Sequence, residues 1–161
     1  MSRLWSKLCV ALATGLGLGY SPFAPGTVGS VWGVLIVVLL FPSLPWPRQI
    51  LLSLGLAMVA VPICDVAEKH FGKKDPHCIV ADEYLTFPIS MIGLPVAWSA
   101  WWILPIAFIT NRFFDIVKLP PANQLQRLHG GIGIVIDDVF AALYSLAANH
   151  LAYRLITRWL S

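Results

Sequence analysis

The chain has 161 residues, 58% of them hydrophobic and 12% charged, with a mean hydropathy of +0.76. That length suits one domain spanning 1–161, and the composition lies outside the range of ordinary soluble proteins. A net charge of +3 is too small and dispersed for a nucleic-acid binder, and Cys9, Cys64 and Cys78 form neither a disulfide framework nor a zinc knuckle.

Residues 4–18 read as a first, membrane-anchored helix; Arg3 and Lys7 ahead of it also fit a signal sequence with a small-residue site at Ala11-Leu12-Ala13, but a retained helix is the simpler reading. Prolines at 22 and 25 break the chain twice before Thr27 caps a second helix running to about residue 41. After the Pro42 to Pro47 turn, a third helix covers about 48–70 and ends at Gly72, with Lys69, Lys73 and Lys74 against its carboxyl end. Asp75-Pro76 starts a fourth that carries Asp82 and Glu83 in its early turns and meets Gly93-Leu94-Pro95. A fifth spans about 96–117 and stops at Pro120-Pro121, and the last runs from Gly131 or Gly133 to about Trp159. Long uncharged runs within these segments predict an all-α, multi-pass membrane bundle of about six helices.

All eight acidic residues fall in three clusters: Asp65, Glu68, Asp75, Asp82 and Glu83; Asp115; and Asp137 with Asp138. Charges in so apolar a chain are costly unless compensated. If the acids act together they must lie on one side of the bilayer. Residues 84–92 make only about 14 Å of helix, too short for a roughly 30 Å hydrocarbon layer. A re-entrant helical hairpin turning at Gly93-Leu94-Pro95 therefore brings Arg112 and Asp115 back to Asp82 and Glu83. The competing arrangement, one spanning helix over 84–111, would separate them. The hairpin puts Arg3, Lys7, Lys69, Lys73, Lys74, Arg112, Lys118 and Arg127 on one side, and Arg48, Arg154 and Arg158 opposite, which points to a site facing the cytoplasm.

Carboxylates contributed by separate helices form an all-oxygen site suited to Mg²⁺, which binds through one or two carboxylates together with substrate phosphate oxygens. Within each adjacent pair, Asp82-Glu83 and Asp137-Asp138, the side chains point about 100° apart, so one member ligates while its neighbour supports. Arg112 can grip phosphate with two parallel hydrogen bonds, and Lys118 adds a mobile charge. Pro25-Gly26-Thr27-Val28-Gly29-Ser30 opens a helix with free amides and two hydroxyls where an anion can sit; a cap with glycines for close packing reads equally well. Buried salt bridges among the acids, Arg112, Lys118 and Arg127 are the plain structural alternative, and Asp65 with Glu68 at i,i+3 reads as structural. His129 marks a closely packed start to the last helix or, alternatively, a proton shuttle; His70, His77 and His150 read as solvated or interfacial.

Four ordered motifs, residues 21–30, Asp75-Pro76 with 79–83, Arg112 to Lys118 and 130–138, together resemble the phosphatidylglycerophosphatase A family. The resemblance implies an all-helical, Mg²⁺-dependent enzyme of the bacterial inner membrane that converts phosphatidylglycerophosphate to phosphatidylglycerol. It carries the family's acidic positions onto Asp82, Glu83, Asp115, Asp137 and Asp138, and its basic ones onto Arg112 and Lys118. From these, Asp82, Glu83, Asp137 and Asp138 are the expected metal ligands, with Thr27, Ser30, Arg112 and Lys118 on the phosphate. Thr86 stands where the family commonly has glycine, and Leu119 where it often has proline. The membrane and the phospholipid are the implied partners, with no obligate protein partner. Two other functions remain open: action on a different lipid phosphate, such as an isoprenoid phosphate, and a small cation or proton carrier using intramembrane carboxylates.

Overall fold

The structure, a computed structural model, describes residues 3–97, 100–125 and 128–160. Described residues form helices and turns, in the order α1 (Arg3–Ala13), α2 (Pro25–Gly29), α3 (Val31–Leu40), α4 (Trp46–Phe71), α5 (Ala81–Thr86), α6 (Ile103–Val117), α7 (Ala122–Leu125) and α8 (Gly131–Leu160). Short 3₁₀ turns at Leu18–Tyr20, Phe41–Ser43 and Phe87–Met91 join them. Three stretches are long and apolar enough to cross a membrane: Pro25–Ser43, Trp46–Phe71 and Gly131–Trp159.

Long helices appear where uncharged runs predict them, and Gly72 closes α4 in the left-handed conformation. Elsewhere the boundaries differ. The first helix stops at Ala13 rather than continuing to 18, because Gly15, Leu16 and Gly17 all take positive φ. Thr27 is not a cap: α2 begins at Pro25 behind a left-handed Ala24, with no side-chain cap hydrogen bond. Asp75-Pro76 does not start a helix, since Asp75 has φ 44° and α5 begins only at Ala81. The fifth helix starts at Ile103, not near 96; Trp98 and Ser99 lie outside the described residues, as does Arg127.

α5 and the following 3₁₀ turn end at Met91, Gly93 turns the chain with a φ of 74°, and α6 then brings Arg112 to Glu83. A single helix over 84–111 is thereby excluded. Such a break inside an apolar bundle leaves main-chain groups unpaired unless side chains reach them. Gln49 of α4 does so: its Oε1 accepts from Gly93 N–H at 2.8 Å, and its Nε2 donates to the Leu44 and Phe41 carbonyls at 3.0 and 3.3 Å. From α8, Asn149 Nδ2 donates to the Ser90 carbonyl at 2.9 Å, and His150 Nε2 donates to the Ile92 carbonyl at 2.9 Å. His150 is therefore structural. Asn149 is itself held by Thr110, which donates to its Oδ1 at 2.7 Å.

The core below the site joins α1, α4, α5 and α8 through Ala13, Ala60, Cys64, Ala67, Val80, Ala81 and Val135. α1 is tied to the α5 segment through its last carbonyls: Val80 N–H donates to the Ala13 carbonyl at 2.8 Å and the Tyr84 side-chain O–H to the Leu12 carbonyl at 2.9 Å. Replacing Gln49 with Leu keeps volume but strips the partners of Gly93 N–H and the Leu44 carbonyl. The expected cost is about 2 kcal/mol, read as a lowered melting temperature in detergent; an unchanged value would show that the break does not need this clamp.

Candidate active site

Elements α2, α5, α6 and α8, with the loop before α5, enclose a cavity of about 310 Å³. Its walls carry Asp75, Asp82, Glu83, Asp115, Asp137 and Asp138, six of the chain's eight acids, against two fixed cations, Arg112 and Lys118. α5 begins one residue before Asp82, so both of its acids occupy the first helical turn, where the helix dipole favours negative charge. α6 delivers Arg112 and Asp115 on adjacent turns. α8 delivers Asp137 and Asp138 two turns after its start. Lys118 caps α6 in the left-handed conformation (φ 49°), a turn from which its Nζ reaches Asp137 Oδ2 at 2.5 Å.

Arg112 is the hub of the cavity. It pairs with Glu83 Oε2 through Nη1 and with Asp115 Oδ2 through Nη2 at 3.1 Å, leaving its buried Nε unpaired. Ser30 does not line the cavity. Its hydroxyl lies 2.8 Å from both Glu83 Oε2 and the Gly26 carbonyl, so it braces the glutamate from behind. Thr27 is likewise off the cavity wall, which at this end is formed by Ala24, Pro25 and Gly26. Gly26 is required by that approach, because a Cβ there would stand 1.9 Å from Glu83 Oε1. Thr86 is fully buried, and its hydroxyl turns back to the Asp82 main-chain carbonyl at 2.7 Å, satisfying itself without touching a carboxylate.

Asp138 lies within side-chain hydrogen-bonding reach of both Asp82 and Asp115. Two carboxyl groups in contact must share a proton or a cation. Burial pushes the Asp82 carboxyl well above its ordinary value, with the Glu83 charge adding to the effect. Burial raises Glu83 from 4.5 to about 7, opposed by the Arg112 charge. For Lys118, burial works to lower the pKa, but the hydrogen bond and charge of Asp137 outweigh it and raise the group overall.

The donor set can be tested against a metal. Among the described residues no three His, Cys, Asp or Glu side chains form a ready-made ligand group. Glu83 and Asp137 are turned onto Arg112 and Lys118. Yet Asp82 Oδ1 and Asp137 Oδ1 are buried without a hydrogen-bond partner, on residues only 7% and 6% exposed that line the cavity. Unpaired hard oxygens in a space with excess negative charge fit a hard divalent cation.

Two wall residues escaped the sequence reading. Asp75 belongs to the first acidic cluster with no site role expected of it, and His77 reads from sequence as solvated or interfacial; both are exposed and both line the cavity. The available signal was their position in the Asp-Pro loop just before Asp82. Asp65 pairs with Lys69 at 2.6 Å, away from the cavity, and Glu68 accepts from Asp75 N–H. His129 is also elsewhere, in a recess with Lys69, Lys73 and Lys74. Gly131 beside it packs so tightly that a Cβ would fall 1.9 Å from the Val61 carbonyl, which favours the structural reading of this segment.

The profile of the family described as phosphatidylglycerophosphatase A matches residues 11–153. The chain belongs to the phosphatidylglycerophosphatase A family. Among curated relatives, a phosphatidylglycerophosphatase A of Escherichia coli is 34% identical over 146 residues, covering 90% of this chain and 81% of the relative. A phosphatidylglycerophosphatase A of Haemophilus influenzae is 35% identical over 137 residues, covering 84% and 82%. A Bacteroides thetaiotaomicron protein, provisionally named phosphatidylinositol-3-phosphatase, is 34% identical over 145 residues, covering 87% and 90%. No solved structure matches the chain. Family membership makes the protein a phosphatase, a phosphoric monoester hydrolase.

Two outcomes follow from the geometry. Arg112→Lys keeps charge but cannot bridge Glu83 and Asp115 together, so turnover should fall about 100-fold with little loss of stability; wild-type turnover would remove Arg112 from the site. The second concerns acid. Glu83 and Asp82 have folded pKa values above their unfolded ones, so between about 4.5 and 7 the native state holds protons that the unfolded chain has released. Stability from these groups is present at the acid end and lost as pH rises through 7. The melting temperature of chelator-treated protein should therefore fall across that window as pH rises; a rise would contradict the burial described.

Proposed function

We propose that the protein removes the terminal phosphate of phosphatidylglycerophosphate, giving phosphatidylglycerol and inorganic phosphate, in an Mg²⁺-dependent reaction at the cytoplasmic face of the bacterial inner membrane. The observation that carries this reading is the cavity itself: buried, unpaired carboxylate oxygens beside an arginine, in a chain belonging to a family of that activity. Six acids against two fixed cations would repel a phosphomonoester dianion, so substrate binding calls for added positive charge. Asp82, Glu83, Asp137 and Asp138 would hold Mg²⁺, whose chemistry there is to polarise the phosphoryl oxygens and neutralise charge as the ester bond breaks.

The protein's own residues supply the rest. Arg112, with its spare Nε, and Lys118 bind phosphate oxygens, while Gly26 and Ser30 keep the Glu83 carboxylate in position. One of the site carboxylates takes the proton from the attacking water as its oxygen bonds to phosphorus. The P–O bond to the glycerol breaks, and the proton passes to the leaving alkoxide. The cytoplasmic assignment is supported by charge: Lys69, Lys73, Lys74 and Lys118 gather at the site's end of the bundle, whereas Arg48, Arg154 and Arg158 lie at the far ends of α4 and α8. With α5 so short, the α5–α6 turn is read as re-entrant, dipping into the bilayer and returning.

A second reading comes from the Bacteroides thetaiotaomicron relative, whose name points to a phosphomonoester on an inositol ring. Both substrates present one phosphate on a polyol headgroup. Phosphate release from phosphatidylglycerophosphate and from phosphatidylinositol 3-phosphate in mixed micelles, with Mg²⁺ or with excess chelator, separates them. Metal-dependent release from the first, reduced at least about 100-fold in Asp138→Asn, is expected. Faster release from the second would reassign the substrate, and release unaffected by chelator would discard the metal.

A further inference from the structure

α6 carries two adjoining stripes of unlike character. Arg112 and Asp115 face the cavity, while Ile109, Phe113 and Ile116, at i, i+4 and i+7, form an apolar stripe beside them. These three are 66%, 56% and 73% exposed, and Ile116 belongs to both surfaces, because it also lines the cavity. At 15 residues α6 is about 22 Å long, shorter than a roughly 30 Å hydrocarbon layer, and it is not among the spanning stretches. Its outer stripe meets the cavity wall at Ile116, one helical turn from the phosphate-binding Arg112.

The geometry points to the outer face of α6 as the lateral seat for the diacylglycerol portion of the phospholipid substrate, with Ile109 and Phe113 as specificity-determining contacts. The inference rests on the phosphomonoesterase reading above and adds the route by which its substrate engages. A lipid lying along the stripe reaches the cavity past Ile116 without leaving the bilayer. Only its phosphate-bearing headgroup crosses from the apolar stripe to the charged one. Apolar surface of this kind contributes to holding substrate and transition state alike, so it acts on KM and leaves kcat alone.

The test is steady-state hydrolysis of phosphatidylglycerophosphate in mixed micelles, with surface concentration varied, for wild type, Ile109→Ser/Phe113→Ser and Leu51→Ser. Leu51 on α4 is 71% exposed but does not line the cavity, and serves as the control for a generally less apolar membrane face. The double variant should raise KM at least about tenfold with kcat within about twofold, and Leu51→Ser should leave both unchanged. Chain-free glycerol 3-phosphate, where it is hydrolysed, should be processed equally by all three. An unchanged KM in the double variant, an equal rise in Leu51→Ser, or a loss confined to kcat would overturn the proposal. So would a change in oligomeric state by size-exclusion chromatography confined to the double variant, which would make the stripe a contact between copies. Wild type that hydrolyses no phosphomonoester at all would instead overturn the phosphatase reading on which the inference stands.

Discussion

Six carboxylates share a cavity with two fixed cations, and the cost of that imbalance in a low-dielectric bundle governs the rest of the structure. Arg112 offsets part of it by bridging α5 to its own helix, and Lys118 offsets more by turning back onto α8. What remains uncompensated is specific: one oxygen each on Asp82 and Asp137, and a chain of carboxyl contacts from Asp82 through Asp138 to Asp115. Residual negative charge in a protein that acts on phosphate esters would be a handicap if nothing bound there, and would become an asset with a divalent cation in place.

Bringing acids from three helices to one point requires the chain to reverse inside apolar surroundings, and reversal exposes main-chain polar groups. The fold meets that requirement from two sides, with Gln49 of α4 at Gly93 and with Asn149 and His150 of α8 at Ser90 and Ile92. These residues touch no part of the cavity. They make it possible by holding the α5 segment where Asp82 and Glu83 face Arg112, while α1 secures its other end through the Leu12 and Ala13 carbonyls.

Much of this was legible in the sequence, and what was not has a common cause. α4 and α8 follow from long uncharged runs, and the break in the helix at Gly93 follows from the Gly-Leu-Pro sequence there. Neither depends on tertiary contacts. The start of α5 was misplaced because the left-handed turn at Asp75 delays the helix to Ala81, a choice tied to the Asp75 amide bonding Glu68. Ser30 reads as a phosphate contact from its place in a glycine-rich helix start, whereas its partner is a carboxylate 53 residues away in sequence. Asp75 and His77 were missed for the same reason. Membership of a cavity wall is decided by the packing of four separate elements, which spacing along one segment does not report.

The central claim is that the carboxylates form one cation-dependent site, and equilibrium binding tests it apart from turnover. Titration of purified, chelator-treated protein in detergent with Mn²⁺, followed by electron paramagnetic resonance and competed with Mg²⁺, would be carried out for wild type and for Asp82→Asn/Asp137→Asn. Saturable Mn²⁺ binding that Mg²⁺ displaces, and that the double variant loses, is the predicted result. Binding equally strong in the variant, or absent from folded wild type, would contradict the account.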